Sequence, residues 1–263
     1  MSKTGNVVRF FGSRTACADC NRRKDCAWSD LEPELLESIE SVPQLFRRGE
    51  VLFHAGEELH SLYVVRSGAV KTCLVSSEGD EQVVAFHTPG DVLALDAVAD
   101  GHYGCDAVAL DTASVCAISY DELAARAARR PGLQRFLLRA MSAAIKRGGA
   151  MVMMLGKKSA EQRMATFLLE ASDAQLRRGY SSTEIMLPMS RADIGNYLSL
   201  AVETVCRLLT RMQAEGIVHV ERNAVTIVDT AALVAIAGAT DERHCQQPRE
   251  PDRCAAMQAR VAQ

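Results

Sequence analysis

The sequence lacks the features by which secreted and membrane proteins are recognised. Its 263 residues contain no run of roughly 18 apolar residues, which a membrane-spanning helix requires. Residues 1–15 lack the apolar core of a secretory signal. We therefore expect a cytoplasmic protein with no membrane partner.

Strong positive charge is also missing. The chain has 30 Lys and Arg against 33 Asp and Glu, so it lacks the overall basic character of many nucleic-acid-binding proteins. Any contact with DNA must then come from a local basic surface. No enzyme class is indicated, because the six His and the scattered acids form no Ser/His/Asp order, glycine-rich phosphate loop or paired catalytic carboxylates.

The composition fits a folded protein of one large or two ordinary domains, since 48% of the residues are hydrophobic and 24% are charged. Between Gly49 and Tyr120, short β-rich runs alternate with turn residues. Runs this close leave no room for the crossover helices of a parallel sheet, so they predict a compact antiparallel barrel or sandwich. The predicted strands are Val51 to Phe53, Ser61 to Val65, Ala69 to Val75, Gln82 to Phe86, Ala107 to Leu110 and Ser114 to Ser119.

After Tyr120 the pattern becomes helical, and Pro131 can open a long helix. A seam with alternating separations of three and four follows, formed by Leu138, Met141, Ile145, Gly148, Val152 and Leu155. The seam predicts either a core-facing amphipathic helix or a contact between two helices of a dimer. Ser159 with Gln162 indicates a capping box at the start of a further helix, which leaves a hinge at about 156–158.

Two short helices follow Ser190, a plausible helix cap. The second is predicted to bury Val202, Val205, Leu208, Leu209 and Met212 and to expose Glu203, Cys206, Arg207, Thr210 and Arg211. Such a pair can insert into a major groove, where Arg reads guanine and Glu accepts from cytosine. Residues 216–229 predict a β-hairpin whose Arg222 reaches a phosphate. The alternative is an ordinary αα-hairpin with a solvated charged face.

The nine cysteines cannot all form pairs, and a reducing cytoplasm argues against disulfides. The spacing C-x2-C-x5-C of Cys17, Cys20 and Cys26 lets one loop place three thiolates around a metal centre, and it leaves zinc and iron-sulfur open. By pattern alone, Cys116 is a buried strand thiol. Cys73, Cys105 and Cys206 are interpreted as small apolar or partly exposed residues, and His244, Cys245 and Cys254 as parts of a mobile tail beyond Ala237.

Residues 191–207 resemble the helix-turn-helix signature of the CRP/FNR superfamily, and residues 48–71 are similar to its cyclic-nucleotide-type β-roll, with Gly49, Phe53, Gly56, Leu62, Tyr63 and Gly68 in place. The resemblance spans nearly all of 17–237. It implies an α+β fold with an amino-terminal antiparallel β-roll, a long dimerisation helix and a carboxy-terminal winged helix-turn-helix. Glu203 and Arg207 match base-reading positions, while Cys206 replaces a more usual serine and Ala201 a usual capping threonine.

The cysteine pattern, together with residues 78–82 and Phe86-His87, resembles the oxygen-responsive FNR subgroup. This implies a [4Fe-4S] cluster bound by Cys17, Cys20, Cys26 and Cys116. It further implies a regulator of anaerobic gene expression that binds palindromic double-stranded DNA as a homodimer and contacts RNA polymerase. Gly148 stands where such relatives carry an acidic residue. The alternative is a CRP-like regulator with a structural zinc or thiol-redox site.

Cyclic AMP is not the expected ligand. Relatives that bind it use a Gly-Glu pair and an Arg-Ser pair, whereas this chain has Ala94-Leu95 and Tyr103-Gly104, and no Arg or Lys lies between Gly90 and Tyr120. A buried phosphate without a basic partner is costly. The expected domains are a cluster-binding loop (1–30), a β-roll sensor (31–130), a dimerisation helix (131–156), a winged helix-turn-helix (159–237) and a disordered tail (238–263).

Overall fold

The computed structural model describes residues 13–20, 26, 28 and 31–238, so residues 239–263 of the predicted tail, with His244, Cys245 and Cys254, lie outside the described residues. The predicted α+β fold is confirmed, with antiparallel sheets in the first half, a long helix, and a winged helical domain. No helix in the described ranges is long and apolar enough to cross a bilayer.

The first half is a roll of antiparallel sheets. Its strands are β1 (Thr15–Ala16), β2 (Glu40–Phe46), β3 (Val51–Phe53), β4 (Ser61–Ser67), β5 (Val70–Val75), β6 (Glu81–His87), β7 (Val92–Leu93), β8 (Asp106–Ala109) and β9 (Ala113–Ser119). One sheet has the order β1-β2-β9-β4-β7 and the other the order β3-β8-β5-β6. All six predicted strands are present, and β1, β2 and β7 are additions to the prediction.

Strand β2 escaped prediction because Pro43 interrupts its β-forming pattern. Among the described residues, only Thr15 and Ala16 pair with this side of β2, at Ser41 and Glu40, so no described strand lies beside Pro43 there. Such a position tolerates a residue without an N–H group. The other side of β2 pairs with β9, where Pro43 lies opposite Cys116. A short helix, α1 (Pro33–Ser38), precedes β2 and buries Leu35 and Leu36 in the core of the roll.

Helix α2 (Tyr120–Ala127) leads to α3 (Pro131–Lys157), in which Pro131 occupies the first turn as predicted. One face of α3 packs on the roll through Leu133 and Phe136. The predicted seam lies mostly on another face, where Leu138, Ile145 and Val152 are 57%, 77% and 71% exposed. The core-facing interpretation is therefore wrong for these three residues. Within the same seam, Met141 packs partly against the roll, Leu155 is half-buried and Gly148 is exposed.

The second half contains the helices α4 (Ala160–Arg177), α5 (Arg191–Leu198), α6 (Val202–Ala214) and α7 (Thr230–Ala237). Its strands β10 (Glu184–Met186), β11 (Val218–Glu221) and β12 (Ala224–Ile227) form a sheet of order β10-β12-β11. The predicted hairpin is β11 and β12, to which β10 adds an unpredicted third strand. The predicted capping box of Ser159 and Gln162 is present.

The hydrophobic core of the second half extends into the roll. It contains Met164, Ile194 and Leu209 from the helices together with Ala69 and Leu110 from the roll. The two halves therefore pack against one another as well as being connected by α3.

Candidate functional site

Helices α5 and α6 are joined by a tight and well-determined turn. A capping box starts α5, in which Ser190 Oγ accepts from the Asp193 N–H and Asp193 Oδ2 accepts from the Ser190 N–H, at 3.1 and 3.0 Å. Ser199 ends the helix with a φ of 52°. A Cβ atom on Gly195 would lie 2.6 Å from the carbonyl oxygen of Leu200, so only glycine allows this close approach. The two helices consequently behave as one rigid unit.

Helix α6 exposes the face that the sequence predicted. Glu203, Cys206, Arg207, Thr210 and Arg211 are exposed, whereas Val205, Leu208, Leu209 and Met212 are buried. The prediction that Val202 is buried is wrong, because its side chain is 40% exposed. Val202 is the first residue of α6, and the packed part of the helix begins only at Val205.

Two of the predicted DNA-contacting arginines have further roles in the fold. Arg211 forms ion pairs with Glu161 of α4 and with Glu215. Arg222 occupies the tip of the wing with a φ of 51°, and its carbonyl oxygen accepts a 2.8 Å hydrogen bond from Arg191 Nη2. Arg191 therefore connects the start of α5 to the wing. This bond could not be predicted, since a carbonyl acceptor 31 residues away leaves no pattern in the sequence.

The cysteines predicted to bind a metal lie where the amino-terminal segment meets the roll. The Cys17 N–H donates to the carbonyl oxygen of Ile39 at 2.8 Å, which fixes the start of a 3-10 helix, Cys17–Asp19. Cys116 lies in the middle of β9. A cavity of about 260 Å³ next to these elements is lined by Thr15, Ala16, Asp19, Cys20, Ser41, Pro43, Arg66 and Cys116.

Cys17 interacts electrostatically with the other three predicted metal ligands. Burial raises the pKa of Cys17 to about 12, a hydrogen bond with the Ser41 hydroxyl opposes this rise, and Cys26, Cys116 and Cys20 each add to it. Burial also raises the pKa of Cys116, again opposed by Ser41. Four sulfur donors suit either an iron-sulfur cluster or zinc. Within the described ranges, however, no three His, Cys, Asp or Glu side chains are grouped so as to bind a metal ion.

The remaining cysteines in the described part of the chain lie outside the predicted metal site. Cys73 and Cys105 are buried, and burial raises the pKa of each to about 12, in keeping with their interpretation as small apolar residues. Cys206 is exposed on α6.

Aromatic side chains occupy the interior of the roll near the loop that differs from cyclic-AMP-binding relatives. Tyr103 is buried, its ring stacks on Phe53 with centroids 4.1 Å apart, and its hydroxyl donates to the carbonyl oxygen of Ser61 at 3.0 Å. Ala94 adopts a φ of 68°, a left-handed conformation that favours glycine. The loop thus keeps a backbone bend that glycine would adopt more easily.

Comparison with known proteins identifies both halves. The sequence matches the cyclic nucleotide-binding domain family over residues 43–130 and the Crp-like helix-turn-helix domain family over residues 162–236. It is 39% identical to the fumarate and nitrate reduction regulatory protein of Salmonella typhimurium over 236 residues, which are 89% of this chain and 94% of that protein. The chain belongs to the CRP/FNR family.

Other members of the CRP/FNR family agree. The anaerobic regulatory protein of Pasteurella multocida is 38% identical over 242 residues, covering 91% of this chain and 89% of that protein. The structure of FixK2 from Bradyrhizobium japonicum superimposes with a TM-score of 0.70 at 30% identity, over 76% of this chain and 98% of FixK2. As a CRP/FNR member, this chain is a DNA-binding transcription regulator and not an enzyme.

Proposed function

We propose that this regulator responds to oxygen and controls anaerobic gene expression, binding palindromic DNA as a homodimer while Cys17, Cys20, Cys26 and Cys116 hold a [4Fe-4S] cluster. The observation that carries the proposal is that Cys20 of the amino-terminal segment and Cys116 of β9 line one cavity, and the charges of Cys26, Cys116 and Cys20 each raise the pKa of Cys17. The names of the relatives, which refer to fumarate and nitrate reduction and to anaerobic regulation, support it. Its place of action would be the cytoplasm.

Two residues near the thiols oppose the burial that raises their pKa values. Hydrogen bonding with Ser41 lowers the pKa of Cys17 and of Cys116, and the positive charge of Arg66 lowers that of Cys116. Ser41 and Arg66 line one cavity with Cys116. Hydrogen bonds and positive charge both stabilise thiolates. Once bound, the cluster would supply the oxygen-reactive chemistry, while Ser41 and Arg66 would offset the charge of its ligands.

A direct contact joins the cysteine segment to the proposed dimerisation helix. Trp28, two residues after Cys26, is 1% exposed and stacks on Phe136 of α3 with ring centroids 4.5 Å apart. Displacement of this segment would remove packing from α3, whose exposed seam from Leu138 to Leu155 would contact the partner helix. We infer that loss of the cluster weakens the dimer by this route, although Gly148 supplies no acidic side chain to oppose pairing.

On DNA, Glu203 and Arg207 would read bases in the major groove, with Cys206 beside them and Arg222 on a phosphate. Arg211 would support this surface through its ion pair with Glu161 and reach the backbone from its edge. RNA polymerase is the proposed protein partner. No cyclic nucleotide would bind, because no Arg or Lys lies between Gly90 and Tyr120 to pair with its phosphate. In the same stretch the buried Tyr103 ring stacks on Phe53.

The test is the absorption spectrum, iron and labile sulfide of protein purified without oxygen, recorded before and after exposure to air. We expect cluster absorption that decays in air. The variant Cys116→Ser should lack iron and sulfide, whereas the matched control Cys73→Ser, which alters a strand thiol outside the site, should retain both. A full complement of iron and sulfide in Cys116→Ser would contradict the ligand assignment. Zinc without iron in the wild type would identify the structural alternative.

A further inference from the structure

Strand β6 is the outer strand of its sheet, and its free edge is covered by α5. The Asn196 side chain meets this edge as a neighbouring strand would: its Nδ2 donates to the carbonyl oxygen of Glu81 at 2.6 Å, and its Oδ1 accepts from the Val83 N–H. In return, Gln82 Nε2 donates to the carbonyl oxygen of Asn196 at 2.7 Å. Backbone hydrogen-bonding groups at the edge of β6 thereby find partners within the same chain.

Charged and aromatic side chains extend this β6–α5 contact, which we define by Lys71, Glu81, Gln82, Val83 and Phe86 of the roll and Asp193, Asn196 and Tyr197 of α5. Lys71 Nζ lies 2.7 Å from Glu81 Oε1 and 2.9 Å from Asp193 Oδ1, with the Lys71 and Asp193 side chains largely buried. Phe86 packs on Tyr197 with centroids 5.0 Å apart.

The balance of burial and pairing favours the charged forms in this contact. Burial would raise the pKa of Asp193, but hydrogen bonds from Ser190 and Lys71 leave it below its ordinary value. Burial would lower the pKa of Lys71, but Glu81 and Asp193 leave it above its ordinary value. The ion pair is therefore intact at neutral pH.

Besides the β6–α5 contact, the DNA-binding half is attached to α3 at the hinge, at about 156–158. Arg163 donates to the carbonyl oxygens of Leu155, Lys158 and Leu198, which ties α4 to the end of α3 and to the end of α5. A DNA-binding half attached only at the hinge could rotate about it. The β6–α5 contact, at a distance from the hinge, restricts this rotation. Because α5 and α6 form one rigid unit, the β6–α5 contact sets the direction in which α6 faces, together with the packing of Ala69 and Leu110 in the core of the second half.

We propose that Lys71, Gln82 and Asn196 are positioning residues for DNA recognition, which orient α6 through the β6–α5 contact so that two copies of the helix can meet two half-sites together. The role in two-site binding rests on the dimeric function proposed above. With the contact intact, Glu203 and Arg207 are exposed, so the contact leaves the recognition face free for DNA. Without it, each domain would still bind one half-site but would seldom be oriented for the second.

The test uses the full chain, purified without oxygen, in two variants. Asn196→Ala removes the two hydrogen bonds that its side chain makes with β6. Lys71→Gln with Gln82→Ala removes the ion pair with Asp193 and the hydrogen bond to the Asn196 carbonyl oxygen without altering the DNA-binding half. Glu78→Ala, an exposed change before β6, is the matched control. The DNA probes are a palindromic duplex selected by the wild type from random sequences and the same duplex with one half scrambled. Hydrogen exchange of residues 81–87 reports on the contact itself.

We expect both variants to exchange faster over residues 81–87, to lose roughly tenfold in affinity for the palindrome, and to keep wild-type affinity for the single half-site. Unchanged exchange in Asn196→Ala would overturn the contact as a determinant of orientation. Faster exchange with unchanged palindrome affinity, or an equal loss on both duplexes, would overturn the positioning role. If the wild type bound the palindrome no more tightly than the duplex with one scrambled half, the dimeric function would be contradicted. Hydrogen exchange of residues 81–87 would still decide whether the β6–α5 contact forms.

Discussion

Glu203 and Arg207 lie four residues apart on α6, and both are exposed, so they share the face that can enter a major groove. We predict that Arg207→Ala loses about 1 to 3 kcal/mol on the selected half-site and much less on random DNA, since a bidentate contact to guanine carries sequence information. Binding titrations against selected and scrambled duplexes measure this. Equal losses on both would mean that α6 does not read bases.

Arg222 offers the matched comparison, because a phosphate contact carries no sequence information. Arg222→Ala should weaken binding to all duplexes alike and reduce the slope of affinity against salt by about one unit. Its carbonyl oxygen, which accepts from Arg191, remains in the variant, so the wing should stay attached to α5.

For single residues, the sequence predicted most exposed positions on α6 correctly, because periodicity alone separates the two faces of a helix. It failed at Val202, where the helix begins before its packed part. It also gave no indication of Arg191 or Ser41, since their partners are a distant carbonyl group and two distant thiols. Pairings of this kind become visible only when the fold brings the elements together.

Among the elements, α3 is the one whose exposed surface most requires a partner. Ile145 is 77% exposed in the centre of the seam, so Ile145→Glu should leave the fold of each chain intact. In a dimer the same carboxylate would be buried without a partner, and we expect the dissociation constant of the dimer to rise by about tenfold or more. Sedimentation velocity without oxygen measures this effect. Ser142→Glu, also exposed but outside the seam, is the control, and equal behaviour of both variants would contradict the seam as the interface.

The sequence predicted elements well wherever a single pattern applied over several residues. Pro131 and the capping box of Ser159 and Gln162 determined the helix starts, and the regular turns determined six strands of the roll. It missed β10, a three-residue strand that depends on pairing with β12. Short strands of this kind are stabilised by their neighbours rather than by their own residues.

For the whole molecule, the arrangement of the two halves was beyond sequence reasoning. The roll, the long helix and the winged domain could each be predicted, but the contact of Lys71 with Asp193 joins residues 122 positions apart. The same limitation applies to Cys116, which lines one cavity with Cys20 of the amino-terminal segment. Only the family resemblance suggested that these cysteines belong together. Both features lie between elements, and in the proposed function both are central to how a signal in the roll would reach α6.

In the proposed function, the state of the cysteine site controls DNA binding. The most direct measurement is a titration of the palindromic duplex with one preparation, made without oxygen and then exposed to air, with absorption and sedimentation recorded on the same samples. We predict that affinity for the palindrome falls as cluster absorption decays and dimer converts to monomer. Unchanged affinity after complete loss of the absorption would contradict the account.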